Sequence, residues 1–177
     1  MTSLLQRLRN DEAEEYLFRV ARMELTIPTI LKSIASAGSA IKELAAWRKR
    51  SKGDARMLIG ELKDNLTYLD MIAEDGVPLG DVIKKVSISE YRRLAGTDYN
   101  FNTLKRSKIA RHSSLKGSEL ASWAGKSTED LVESIYDKLN QLQLRYPHVS
   151  KNKKYRWSVR VNNIRKRIWL LLKHVQL

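Results

Sequence analysis

Large apolar residues near the end of the chain recur at alternating spacings of four and three positions. Because an α-helix turns by about 100° per residue, residues at these spacings fall on one face of a helix. A stripe of this kind has to be covered by another helix. The terminal segment is therefore predicted to be a helix packed inside a helical bundle, with a buried stripe of Trp157, Val161, Ile164, Ile168, Leu171 and Val175.

A second stripe with the same spacing lies in a helix predicted over residues 27–49 and contains Ile27, Leu31, Ile34, Gly38, Ile41 and Ala45. Its middle, residues 33–40, consists largely of small residues, which would let a neighbouring helix approach closely. We expect this helix to pair with the terminal helix within one chain. Pairing across a homodimer is the alternative arrangement.

The rest of the chain also favours helices, because prolines are few and β-branched residues do not alternate with polar ones. One helix is predicted over residues 3–25. Another follows Asp54 as its N-cap and ends before Gly76, with a stripe of Leu58, Leu62, Leu66 and Leu69.

Three further helices are predicted in the second half of the chain. A short one covers residues 81–86, and the next begins at a capping box formed by Ser87 and Glu90. Ser127 is the predicted N-cap of a long helix that ends at Pro147. The buried face of this long helix is predicted to contain Leu131, Ile135, Leu139 and Leu142.

These elements predict an all-α fold, a single compact bundle of about five to seven helices. At 177 residues the chain is expected to be one helical domain over residues 1–177. Residues 97–126 mix aromatic, polar and basic residues without a clear period, so we expect a less regular, mobile basic segment there.

Composition excludes several classes of function. The chain has no cysteine and only three histidines, so disulfides are impossible and a zinc site is not expected. No Walker loop, dinucleotide fingerprint or nucleophile elbow is present. We therefore expect no metal and no cofactor. Charges interrupt the N-terminal apolar residues every few positions, so neither a signal peptide nor a membrane span is predicted, and a cytoplasmic location is expected.

The positive charge is concentrated in the last part of the chain. Residues 1–100 hold 16 Lys or Arg and 15 Asp or Glu, whereas residues 101–177 hold 17 and 5. Such an asymmetry produces a positive field that attracts polyanions such as nucleic acid. We expect these cations to gather on one continuous surface of the folded domain.

The terminal helix presents basic residues beside its apolar stripe. Guanidinium groups in such a row bind phosphate oxygens bidentately and release condensed counterions. The predicted nucleic-acid-binding residues lie on this helix, in the loop before it and in the 97–126 segment. They are Lys105, Arg106, Arg111, Lys153, Lys154, Arg156, Arg160, Asn163, Arg165 and Lys166.

Arg167 and His174 lie on the same helix with six residues between them. This spacing on a late helix resembles the signature of the HEPN family of small helical bundles. The resemblance implies cleavage of RNA without a metal ion, often at a dimer interface. His174 would then act as acid or base, and Arg167 would stabilise the charged phosphorane.

The leading hypothesis from the sequence is a helical protein that binds nucleic acid, with RNA favoured, through its basic C-terminal surface. A metal-independent endoribonuclease is the sharper version of this hypothesis. The alternative is a helical interaction module or oligomeric scaffold without catalytic activity, whose basic surface meets an acidic protein. A membrane is not the expected partner, although a basic amphipathic helix with tryptophan is also found at membrane interfaces.

Overall fold

The computed structural model describes residues 37–111, 115, 117–152 and 154–176. In these residues the chain forms six α-helices, two 3₁₀ helices and no strand, which confirms the predicted all-α bundle. The predicted helix over residues 3–25 and the first half of the second stripe lie outside the described residues. The α-helices are α1 (Ala37–Arg50), α2 (Gly53–Ala73), α3 (Leu79–Val82), α4 (Ser89–Ala95), α5 (Thr128–Val149) and α6 (Trp157–Gln176), and the 3₁₀ helices are Phe101–Thr103 and Glu119–Trp123.

The terminal helix α6 lies inside the bundle, in contact with α1, α2, α5 and the second 3₁₀ helix. The four central residues of its predicted stripe are at most 1 % exposed, and the two outer ones are partly exposed. Trp169, Leu170 and Leu172, which lie off the stripe, are buried as well. Protein therefore covers this helix on nearly all sides near its end, as its apolar composition requires.

The stripes predicted for α2 and α5 are also confirmed. Leu58, Leu62, Leu66 and Leu69 are all fully buried, as are Leu131, Ile135 and Leu139. Each such leucine or isoleucine contributes roughly 1.5–3 kcal/mol by leaving water. None of the described helices has the length and apolar content needed to cross a membrane.

The predicted stripe on α1 is wrong where the structure describes it. Gly38 and Ala45 are exposed and Ile41 is only partly buried, whereas Ala40 and Leu44 form the buried face. Leu44 is the single leucine of α1, and Ala40 lies one turn before it, so these two residues form the face that packs against the neighbouring helices.

Close approach between helices occurs on α2 rather than at Gly38. A Cβ atom at Gly38 would meet nothing within 4 Å, whereas one at Gly60 would lie 3.1 Å from the Arg48 guanidinium. Gly60 thus allows the end of α1 to pack against α2.

Two predicted helix boundaries are corrected. The N-cap of α2 is Lys52, which makes no side-chain cap, and Asp54 in the first turn instead pairs with Arg93 at 2.7 Å. Pro147 lies inside α5, which continues to Val149. A proline in a last turn removes only one hydrogen bond, so packing of the preceding helix tolerates it.

The N-terminus of α5 is capped as predicted. Ser127 Oγ accepts a hydrogen bond from the Asp130 backbone N–H, and the Asp130 carboxylate accepts one from the Ser127 N–H, which completes a capping box. The predicted capping box at Ser87 and Glu90 is wrong, because the N-cap of α4 is Ile88 and it has no side-chain cap.

A carboxylate from α2 caps α4 instead. Glu61 accepts hydrogen bonds from the backbone N–H groups of Glu90 (3.0 Å) and Tyr91 (3.3 Å) and from the hydroxyls of Ser87 and Ser89. It is 8 % exposed. The start of α4 is thus held by a residue about thirty positions earlier in the chain, which local sequence patterns do not reveal.

The 97–126 segment is irregular, as predicted, but it adds to the core. The backbone of Ile109 pairs with Gly125 and Lys126 at 2.9 Å each, which closes the segment on itself. Its apolar side chains then point inwards, namely Phe101, Ile109, Leu115, Leu120 and Trp123.

Candidate nucleic-acid interface

The residues predicted to bind nucleic acid differ widely in exposure. Arg106, Arg111, Lys154, Arg156 and Arg160 are exposed, and Lys105, Asn163 and Lys166 are partly buried. Arg165, Arg167 and His174 are buried. Lys153 lies outside the described residues. Only the exposed and partly exposed residues can meet a macromolecular polyanion directly.

The exposed cations do not all lie at one end of α6. Thr128, at the start of α5, donates to the Lys105 carbonyl at 2.6 Å and bonds His174 near the end of α6 at 2.9 Å. Arg160 lies fourteen residues before His174, which is about 21 Å along a helix axis. The basic residues around Lys105 and those around Arg160 therefore lie near opposite ends of α6.

Arg165 joins two helices of the core. Its guanidinium donates to Asp70 Oδ1 at 2.5 Å, to the carboxylate of Glu74, the C-cap residue of α2, and to Asn162 Oδ1 at 2.9 Å. Burial raises the pKa of the Asp70 carboxyl, and the Arg165 charge opposes that rise. With its charge paired inside the protein, Arg165 has a structural role and is not part of the interface.

Arg167 is also engaged internally. It donates to the backbone carbonyl of Asn163 at 2.9 Å, pairs with Glu119 at 3.7 Å and lies 5.9 Å from the centre of the Trp123 ring. Burial lowers the pKa of the Arg167 guanidinium, and Glu119 opposes the shift. Arg167 fastens the second 3₁₀ helix to α6.

His174 is 3 % exposed and belongs to a buried hydrogen-bond chain. The single hydroxyl proton of Thr128 is donated to the Lys105 carbonyl at 2.6 Å, so at the 2.9 Å contact His174 Nε2 is the donor. Thr128 itself is fully buried. An imidazole held this way ties the irregular segment and α5 to the end of α6.

The first turn of α6 and the loop before it carry an exposed group of aromatic and basic side chains. The Arg160 guanidinium lies 4.0 Å from the centre of the Tyr155 ring. The Trp157 ring lies 4.3 Å from the Tyr155 ring, and Tyr146 of α5 packs edge-on against Trp157 at 5.4 Å. A guanidinium stacked on a ring loses little rotamer freedom when it binds a ligand.

A small cleft opens beside Arg160 where α5 and α6 face each other. Its volume is about 60 Å³, well below the roughly 300–1,000 Å³ of cofactor pockets. Two cations line it, Lys138 from α5 and Arg160 from α6, and neither has an ion-pair partner among the described residues. The other lining residues are Gln141, Leu142, Tyr155, Asn163 and Ile164.

Amide side chains, rather than the two cations, bind the neighbouring carboxylates. Gln141 donates to Asp137 at 2.8 Å. Asn163, with its amide oriented so that the nitrogen meets acceptors, donates to Glu119 at 2.9 Å. Asp137 and Glu119 keep their negative charges in these bonds, because an amide is neutral. Neither carboxylate pairs with Lys138 or Arg160, so both cations stay available to an anionic ligand.

The sequence did not reveal three polar residues of this site. Tyr155 stands between basic residues in the run KKYRW, a signal of aromatic and cationic residues interleaved in one surface loop. Lys138 and Gln141 offered no such signal, because only the packing of α5 on α6 brings them to the cleft.

Within the described residues, no group of three His, Asp or Glu could hold a metal ion.

The chain matches no family model, no curated protein and no solved structure.

Proposed function

We propose that this protein binds nucleic acid, with RNA favoured, through the basic and aromatic surface at the start of α6. The observation that carries the proposal is the exposed Arg160 guanidinium, stacked on Tyr155 and free of any carboxylate partner in the described part of the chain. Arg156 and Lys154 lie beside it in sequence and are also exposed. Such groups bind phosphates with little regard to base sequence.

RNA is favoured over DNA because of the Gln141 amide at the cleft. Its nitrogen is engaged with Asp137, which leaves its carbonyl oxygen as an acceptor. A ribose 2′-hydroxyl can donate to such an oxygen, whereas deoxyribose cannot. A cytoplasmic location, where RNA is abundant, belongs to the same proposal and agrees with the lack of cysteine.

Binding, rather than cleavage, is the function proposed. A catalytic pair must reach the scissile phosphate and the 2′-hydroxyl, yet Arg167 and His174 are 8 % and 3 % exposed. Both also have internal partners. We therefore expect intact labelled RNA after incubation with the protein without metal. Cleavage that His174→Asn abolishes, in a variant that keeps its fold, would restore the catalytic hypothesis.

Electrophoretic mobility shifts over a salt series test the binding. We expect a shift with RNA at low salt, a weaker shift with DNA of the same sequence, and steep weakening as salt increases. Arg156→Gln and Arg160→Gln should each weaken binding, whereas Arg56→Gln, which removes an exposed arginine from α2, should not. The absence of a shift with any nucleic acid at low salt would reject the proposal and favour the protein-interaction alternative.

A further inference from the structure

The cleft between α5 and α6 has the size and charge of a site for one phosphate group. Its volume of about 60 Å³ exceeds the roughly 10–15 Å³ that a single water needs. It is far smaller than the pockets that enclose drug-sized ligands or cofactors. A group that enters it must therefore be compact, and the two cations on its walls favour an anionic group.

We infer that Lys138 and Arg160 bind the same phosphate of the nucleic-acid backbone from opposite walls of this cleft. The inference rests on the proposed function and adds the residue that α5 contributes. Arg160 supplies a planar fork that can bond two phosphate oxygens, and Lys138 supplies a point charge from the other helix. Because the two helices pack directly on each other, the residues that carry the two charges already line the cleft before a ligand arrives.

Tyr155 is the positioning residue of this site. Arg160 stacks on its ring at 4.0 Å and Trp157 lies 4.3 Å from the ring, so the ring orients the guanidinium. Its hydroxyl oxygen is buried and has no hydrogen-bond partner among the described residues. The ring, rather than the hydroxyl, is therefore what the site needs.

A double-mutant cycle on RNA binding tests the shared phosphate. Each phosphate neutralised on a single strand contributes about 0.7 to the slope of log K against log salt. If Lys138 and Arg160 share one phosphate, this slope should be smaller by about 0.7 in the variant that carries both Lys138→Gln and Arg160→Gln. If they bind two separate phosphates, the slope should be smaller by about 1.4, and that result would overturn the inference.

Matched variants separate this inference from the proposed function. Lys138→Gln should weaken RNA binding about ten- to a hundredfold, whereas Lys49→Gln, the same substitution at an exposed lysine of α1, should not. If the unmodified protein binds RNA and Lys138→Gln binds as tightly, the inference fails while the proposed function stands. If the unmodified protein binds no RNA, both fail.

Two further comparisons complete the test. Tyr155→Phe keeps the ring and should bind like the unmodified protein, whereas Tyr155→Leu should lose most of what Arg160→Gln loses. Equal losses in the two Tyr155 variants would overturn the positioning role.

Oligonucleotides with a 5′-phosphate and with a 5′-hydroxyl should bind equally, because an internal phosphate occupies the cleft. A preference for the 5′-phosphate that Lys138→Gln removes would overturn this assignment and place a strand end in the cleft.

Discussion

Replacing Arg165 with methionine should destabilise the fold strongly, because it leaves a buried carboxylate without its counter-charge. The Arg165 side chain is 4 % exposed, that of Asp70 10 % and that of Glu74 50 %. Removing one partner of a buried pair costs roughly 3–5 kcal/mol, whereas an exposed pair is worth about 0–1 kcal/mol. We therefore expect Arg165→Met to lose roughly 3–5 kcal/mol and Glu74→Gln to lose less than about 1 kcal/mol.

The loss should depend on pH in a defined direction. Burial raises the pKa of Asp70 in the folded protein, and Arg165 is the main opposing charge, so Arg165→Met raises that pKa further. A carboxyl with a raised folded-state pKa favours folding below its unfolded-state pKa, and this contribution is lost as the pH rises through the folded-state pKa. The deficit of Arg165→Met should therefore be large at neutral pH and shrink as the pH falls towards roughly 4.

Urea unfolding followed by circular dichroism at neutral and acidic pH measures both effects. Combining Arg165→Met with Asp70→Leu removes both charges, and this double variant should recover most of the lost stability. The reasoning is refuted if Arg165→Met loses no more than Glu74→Gln, or if its deficit is the same at both pH values. Glu74→Gln should leave the salt dependence of RNA binding unchanged, because Glu74 pairs with Arg165, which lies outside the proposed interface.

Three other substitutions test contacts that hold the bundle together. Glu61→Gln replaces one of the two carboxylate oxygens that accept backbone N–H groups at the start of α4 with an NH2 group, which cannot accept a hydrogen bond. Unfolding by urea should show a loss of roughly 1–3 kcal/mol. Thr128→Val leaves the His174 N–H donor without its acceptor and should cost about 1–3 kcal/mol, whereas Thr128→Ser should cost less, as measured by thermal unfolding. Gly80→Ala places a Cβ atom 2.5 Å from the Tyr146 hydroxyl, so a lower melting temperature is expected, and Gly80→Ala combined with Tyr146→Phe should recover part of it.

The buried faces of the long helices could be predicted because they depend on local periodicity. The leucines of α2, the apolar face of α5 and the stripe of α6 repeat at three and four positions, and each is buried. The cap at Ser127 was predictable for the same reason, since both of its partners lie within one turn. On α1 the rule failed because a heptad could be drawn through small residues, whereas the single leucine determined which face was buried.

The candidate site depended more heavily on tertiary structure. Periodicity and composition alone predict the all-α class and the excess of cations in the last part of the chain. The sequence could not show that Arg160 stays exposed while Arg165 is ion-paired with Asp70 and Glu74. Those two partners lie at distant positions in the chain. Only the packing of α5 and α2 against α6 decided which positive charges are neutralised inside the protein and which are left for a ligand, since a charge is buried favourably only where an opposite charge meets it.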